Sequence, residues 1–210
     1  MPLHRLDMVW PTLALVLALA YGAFLFWYGG RGRPLGVDEQ QHYLTKLAGY
    51  CRTSQDRAVL EQVRELVAND DGREFVMQNL VRYRAKAQYP PGYDFDDDPR
   101  KADQRYGRAI IGPLLRYANH PVFIARRSGR FIDFEGADQW DYVAMVRYRS
   151  RRDFLRFALR IEHKDIAVHK WAAIEKTHVF PVQPLVSLVM VRAAVGALLL
   201  TAGALAWLAL

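Results

Sequence analysis

Cysteine is nearly absent. Cys51 stands alone in 210 residues, which excludes an intramolecular disulfide framework and a multi-cysteine metal centre. Glycine patterns that cradle phosphate are missing as well. Neither G-x-x-x-x-G-K nor a Rossmann G-x-G-x-x-G occurs, and G-x-S-x-G and HExxH are missing too. Nucleotide hydrolysis, serine-hydrolase chemistry and zincin chemistry therefore lack their signatures. Glu162, His163, His169, Glu175 and His178 share no recognised metal-ligand spacing, so no metal ligand is assigned.

Charge is missing from two long stretches. Residues 9–28 carry none, and residues 185–210 carry only Arg192. About 20 apolar residues cross a bilayer, so both stretches are expected to be transmembrane helices. The first is long for a signal peptide and has no clear small-x-small cleavage site after it, so a retained anchor is expected. The second has no polar face, unlike a core helix. Arg31, Arg33, Lys176 and Arg192 lie on the domain side, against Arg5, offset by Asp7, on the other. This bias favours a cytoplasmic domain on a bacterial-type inner-membrane protein with two spans.

The whole chain is basic, with a formal net charge of +7 and a pI near 9.6. The excess suits an anionic lipid surface. An RNA-recognition strand needs an aromatic-rich K/R-G-F/Y-G/A-F-V-x-F/Y pattern. YVAMVRYR (142–149) lacks it, which argues against nucleic acid as a partner.

Between the charge-free stretches the chain alternates elements. Residues 37–70 read as a helical linker segment, with Ser54 as a cap and Asp70-Asp71-Gly72 as a stop. Residues 74–84 read as a strand. Its two faces carry Phe75, Met77, Asn79, Val81 and Tyr83 on one side and Val76, Gln78, Leu80, Arg82 and Arg84 on the other. Asp98-Pro99 is a helix start, and the following apolar stripe runs through Ala102, Tyr106, Ala109, Ile110 and Leu114. Pro113 is expected to kink that helix or confine its regular part to one side. Residues 122–126 read as a strand, and 131–134 as its hairpin extension. Residues 142–149 make the next strand, Ser150 with Asp153 starts a helix, 165–175 reads as another helix, and 177–182 as a last strand.

One phrase occurs twice. LVRYRA (80–85) returns as MVRYRS (145–150), each time on a strand that feeds a helix. Two β-α-β halves in tandem make a ferredoxin-like split fold, so the phrase is expected on two equivalent central strands. Met77, Val81, Tyr83, Val146 and Tyr148 are assigned to the helix side of the sheet. Gln78, Leu80, Arg82, Val143, Met145 and Arg147 are left on the far face, where a second sheet would bury Leu80 and Met145.

Four segments in order, FVMQNLVRYRAKAQY (75–89), RYGRAIIGPLL (105–115), EGADQWDYVAMVRYRSRRDFL (135–155) and IAVHKWAAIE (166–175), together resemble a domain-of-unknown-function family of dimeric α+β-barrel proteins. That family is similar in fold to antibiotic-biosynthesis monooxygenases. The resemblance implies an α+β, ferredoxin-like domain at 74–184 that forms a homodimer. The family's strand Asn, Tyr-Gly, Trp-Asp and His-basic positions match Asn79, Tyr106-Gly107, Trp140-Asp141 and His169-Lys170. The sequence departs from the pattern at Arg149, where a proline is usual, at His163, where a tyrosine is, and at Val168, where a second histidine often is.

His169 is the candidate general base or ligand, since histidine titrates near neutrality; a hydrogen-bonded helix histidine is the alternative. Asn79, Arg82, Tyr106, Trp140, Arg147 and His169 form the candidate ligand-binding set, with Arg82 and Arg147 able to clamp an anion or form salt bridges. The favoured function is a membrane-anchored module that binds a small hydrophobic or anionic molecule, or acts in sensing or assembly. The alternative is a cofactor-independent oxygenase or isomerase acting on a hydrophobic substrate in the barrel. The sequence names no cofactor.

Overall fold

A computed structural model of the chain describes residues 3–29, 32–132, 134–186 and 191–208. Its elements are α1 (Leu3–Gly29), α2 (Val37–Ala48), α3 (Ser54–Ala68), β1 (Phe75–Tyr83), α4 (Pro99–Arg116), β2 (His120–Arg126), β3 (Tyr142–Tyr148), α5 (Arg151–His163), α6 (Ala167–Ala173), β4 (Ile174–Val182) and α7 (Val191–Leu208). The four strands form one antiparallel sheet in the order β2-β3-β1-β4. From β1 onward, strand-helix-strand occurs twice and the two halves share one sheet with β1 and β3 at its centre. That is the ferredoxin-like α+β fold, and the repeated phrase sits on its two central strands.

The face assignment follows the register. Met77, Phe75, Tyr148 and Val146 pack with Leu114 and Phe157. Val81 and Tyr83 pack with Ala102, Ala173 and Ile174. Alternation puts Gln78, Leu80, Val143, Met145, Phe123 and Phe180 together on the opposite face. Asp98 caps α4 by accepting from the backbone N–H groups of Arg100 and Lys101, with Pro99 at the first helical position. The helix runs on through Pro113 to Arg116.

Several boundaries differ from the sequence reading. The 37–70 segment is two helices, and they share a core with α5 through Leu44, Leu47, Val67 and Leu155. The cap of α3 is Thr53, whose hydroxyl accepts from Asp56 N–H while the Asp56 carboxylate accepts from Thr53 N–H. Ser54 is the first helical residue. Phe131 and Ile132 add no strand, because the last β2–β3 pair is Arg126 with Tyr142, and they are exposed. Asp133 lies outside the described residues. β4 begins at Ile174, which is buried against Ala102 and ends α6 early.

The two ends of the sheet are unlike. At one end lie Phe75, Tyr148, His120 and Val182. α1 reaches the domain there. Arg147 donates to the Tyr28 carbonyl at 3.0 Å and the Ala118 carbonyl at 2.8 Å, and its guanidinium lies 3.7 Å from the Tyr28 ring centroid. Arg149 donates to the Trp27 carbonyl at 2.6 Å. The last carbonyls of a helix have no intrahelical partner, and here two arginines supply them. The connection to α2 is pinned as well. Leu35 N–H donates to Asp70 at 2.7 Å, and Arg152 donates to the Arg33 and Pro34 carbonyls. Gly72, at φ +74°, sits so close to residues 32–34 that a Cβ would lie 2.7 Å from their backbone.

Among the described residues one helix is long and apolar enough to cross a membrane, with its apolar window at residues 12–29. Residues 185–186 precede α7, and residues 187–190 and 209–210 of the second expected span lie outside the described residues, as does Arg31.

Candidate functional site

The six sequence-predicted site residues divide between the two faces of the sheet. Asn79, Tyr106 and His169 lie on the helix side. Arg82 and Arg147 lie on the far face, six residues apart in register because Val76 pairs with Arg147. At about 3.3 Å per residue that is roughly 20 Å, too far for one anion clamp. Arg82 pairs with Glu175 at 3.1 Å, both half exposed. Arg147, 4% exposed, is committed to Glu74, Ala118 and Tyr28. Trp140 borders an open groove of about 420 Å³ on the far face, with Leu80, Val143, Ala125, Phe131 and Ile132.

On the helix side, at the end of the sheet away from α1, α4 packs against α6 and polar chemistry gathers between them and the sheet. Asp103 accepts from the Tyr83 hydroxyl at 2.8 Å and from the Tyr142 hydroxyl at 3.2 Å. Burial raises the Asp103 carboxyl above its usual range, against the lowering effect of the two tyrosines and Lys170. Burial also raises the phenols of Tyr83, Tyr142 and Tyr106, with Asp103 adding to each. Lys170 lies over the rings of Trp171 and Tyr106, at 5.1 and 5.9 Å from their centroids. Burial lowers its ammonium pKa, opposed by Asp103 and Glu162. Burial raises the Glu162 carboxyl in turn. A helix–sheet interface ordinarily excludes such groups, because burying charge is costly unless it is fully paired. Groups moved toward neutrality from both sides are a mark of functional sites.

His169 stands on the outer edge of this cluster. Its Nδ1 is 2.9 Å from the Tyr89 hydroxyl, and its ring meets Phe95 and Tyr89 edge-on at 5.1 and 5.6 Å. Burial first, then Arg105, lowers its pKa. Asn79 spends its amide N–H on the Met77 and Ala144 carbonyls, which ties it to the sheet. The Trp140-Asp141 pair acts through Asp141, whose carboxylate accepts from Tyr83 N–H and whose own N–H donates to the Val81 carbonyl, extending the β1–β3 edge.

Asp103, Lys170, Tyr83 and Tyr142 were not singled out for chemistry in the sequence. A signal existed for one of them: Asp103 is a carboxylate inside the apolar stripe of α4, beside Ala102 and three residues before Tyr106. Arg105, Tyr89 and Phe95 gave no such signal, since a loop brings them together. Among the described residues no group of three or more His, Cys, Asp or Glu is placed to hold a metal.

Comparison with known proteins agrees on the fold. The crystal structure of a protein of unknown function from Rhodopseudomonas palustris is similar, with a TM-score of 0.53 and 25% identity over 66% of this chain and 98% of that one. Its methylated form gives a TM-score of 0.53 and 26% identity, over 66% of this chain and 96% of that one. A dabb family protein with a ferredoxin-like fold from Mesorhizobium loti is similar at a TM-score of 0.34 and 11% identity, over 54% and 98% of the two chains, too distant to carry an argument. No family model and no curated protein matches the chain.

Proposed function

We propose that the chain is a membrane-anchored, homodimeric module that binds a small molecule at the α4–α6 end of its ferredoxin-like domain. The observation that carries this reading is the Asp103–Tyr83–Tyr142–Lys170 cluster, whose carboxyl and ammonium are both pushed toward neutrality between helices and sheet. Stability alone does not call for such a cluster. The apolar far face supports the dimer: Leu80, Val143, Met145, Phe123 and Phe180 share it, and a second sheet would cover them. The charge-free stretch 12–29 of α1 supports the anchor. The second span at 185–210 follows β4, whose Val182 pairs with Val76 at the end where α1 docks, so both anchors would leave the domain from one end. The ligand seat then faces away from the bilayer. The bias of basic flanks places the domain in the cytoplasm. Labelling of Cys51 in intact cells by an impermeant thiol reagent would contradict that placement; burial raises its thiol pKa, so long exposure is needed.

Native mass spectrometry of the detergent-solubilised chain tests the proposal. A dimer that retains a small molecule supports it. A bare monomer contradicts it, and a bare dimer leaves assembly as the role. A second reading, a cofactor-independent oxygenase or isomerase, is favoured by the opposite directions in which burial moves Asp103 and Lys170, a carboxyl and an amine each shifted toward its neutral form. Turnover of the retained molecule that is lost in Lys170→Met or His169→Ala, with folding intact, would select it.

A further inference from the structure

Beside the Asp103 cluster, the segment 84–98 and α4 build a second group of side chains. Arg105 donates from Nη2 to the Asp96 carboxylate at 2.6 Å. Its Nη1 is closed off from solvent and has no hydrogen-bond partner. The guanidinium plane lies 4.7 Å from the Phe95 ring centroid. Phe95 and Tyr89 are 4.9 Å apart, Tyr89 and Tyr93 are stacked at 6.0 Å, and His169 closes the group through Tyr89 and Phe95.

A guanidinium is a two-pronged donor that matches a carboxylate bidentately. Here one prong holds the Asp96 carboxylate, the Tyr89 hydroxyl lies beside the guanidinium and adds to its stabilisation, and Nη1 has no partner. Asp96 is held to this monodentate contact in part because its other oxygen accepts from Asp98 N–H at 3.3 Å. Asp96 is itself exposed, so it is a weak, replaceable partner. A buried, unpaired guanidinium nitrogen is costly, and aromatic rings around it offer a flat apolar surface. We propose that Arg105, with Phe95, Tyr89 and His169, takes a small planar carboxylate. The ligand's carboxylate replaces Asp96 and engages both prongs of Arg105. Its ring packs against Phe95 and Tyr89, and His169 Nε2 borders it. This inference rests on the small-molecule reading above and names its ligand class.

The test uses the full chain in detergent micelles, with benzoate, benzyl alcohol and benzylamine as probes, followed by the His169 imidazole resonances and by calorimetry. Benzoate is expected to bind with a dissociation constant on the order of 1 mM, ordinary for so small a ligand. Arg105→Gln is expected to weaken it at least tenfold. Asp96→Asn is expected to tighten it several-fold by removing the internal competitor, and that gain cannot come from lost folding. Equal binding of benzyl alcohol, unaffected by Arg105→Gln, would overturn the carboxylate assignment and leave the small-molecule reading standing. Binding of no probe, with a different molecule retained on the native dimer, would overturn the assignment alone. Binding of no probe to a dimer of bare mass would overturn both.

Discussion

The two copies of the VRYR phrase end at opposite ends of one antiparallel sheet, and their arginines have opposite fates. Arg147 and Arg149 lie where α1 docks, and they are paired with Glu74, Asp153 and the carbonyls of Trp27, Tyr28 and Ala118. Arg82 and Arg84 lie at the other end, where Arg82 has only an exposed partner in Glu175 and Arg84 Nε is buried without one. The carboxylates differ in the same way. Asp153, 3% exposed, is matched by Arg149 at 2.7 Å, Arg156 at 3.2 Å and the Ser150 hydroxyl at 2.9 Å. Asp103 has two neutral phenols. Identical local sequence thus serves attachment at one end and borders a polar cluster without matching charges at the other. Buried groups that are fully paired hold the fold together, while burial without a matching charge works against the charged forms of Asp103 and Lys170.

The largest expected effect is at the paired end. Arg147→Met would leave the Tyr28 and Ala118 carbonyls unsatisfied and is expected to lower stability by on the order of 3 kcal/mol, measured by thermal unfolding in detergent. Next, Met145→Lys places a charge at the centre of the far face. It is expected to break the proposed dimer into monomers by light scattering while circular dichroism stays unchanged. An unchanged subunit count would remove the sheet-to-sheet dimer. At the Asp103 end, Asp103→Asn is expected to stabilise the protein at neutral pH, because burial disfavours the ionised carboxyl. The Asp103 pKa is raised in the folded state. Its favourable contribution is therefore present below the ordinary value of 3.8 and is lost as pH rises through the folded value. The gain from Asp103→Asn should accordingly appear above that value and vanish in more acid solution. The smallest effect is expected from Arg82→Ala, whose exposed ion pair contributes less than about 0.5 kcal/mol. A loss like that of Arg147→Met would erase the contrast.

Much of the fold was legible because it rests on short-range rules. Alternation along 75–83 and 142–148 placed each face of the sheet correctly, and Asp98-Pro99 marked the start of α4. The repeat of strand and helix gave the topology. What failed depended on partners distant in the chain. The outward turn of Phe131 and Ile132 follows from β3 starting only at Tyr142. Arg149 read only as a departure from an expected proline, yet it holds the Trp27 carbonyl from 122 residues away. Arg82 and Arg147 of one chain stand far apart because antiparallel pairing sends equivalent positions to opposite ends. Within the candidate site, His169 was reachable from residue type alone. Asp103 and Lys170 became distinctive only when α4 and α6 packed together and burial shifted both groups.

The most direct test compares Asp103→Asn with Asp153→Asn at pH 7, by thermal unfolding of the full chain in the same detergent. Each substitution removes one carboxylate charge and changes shape very little. The expected result is opposite signs: Asp103→Asn raises the unfolding temperature, and Asp153→Asn lowers it. Destabilisation of similar size in both would mean that Asp103 is a structural carboxylate like Asp153, and would contradict the assignment of the α4–α6 end as the functional one.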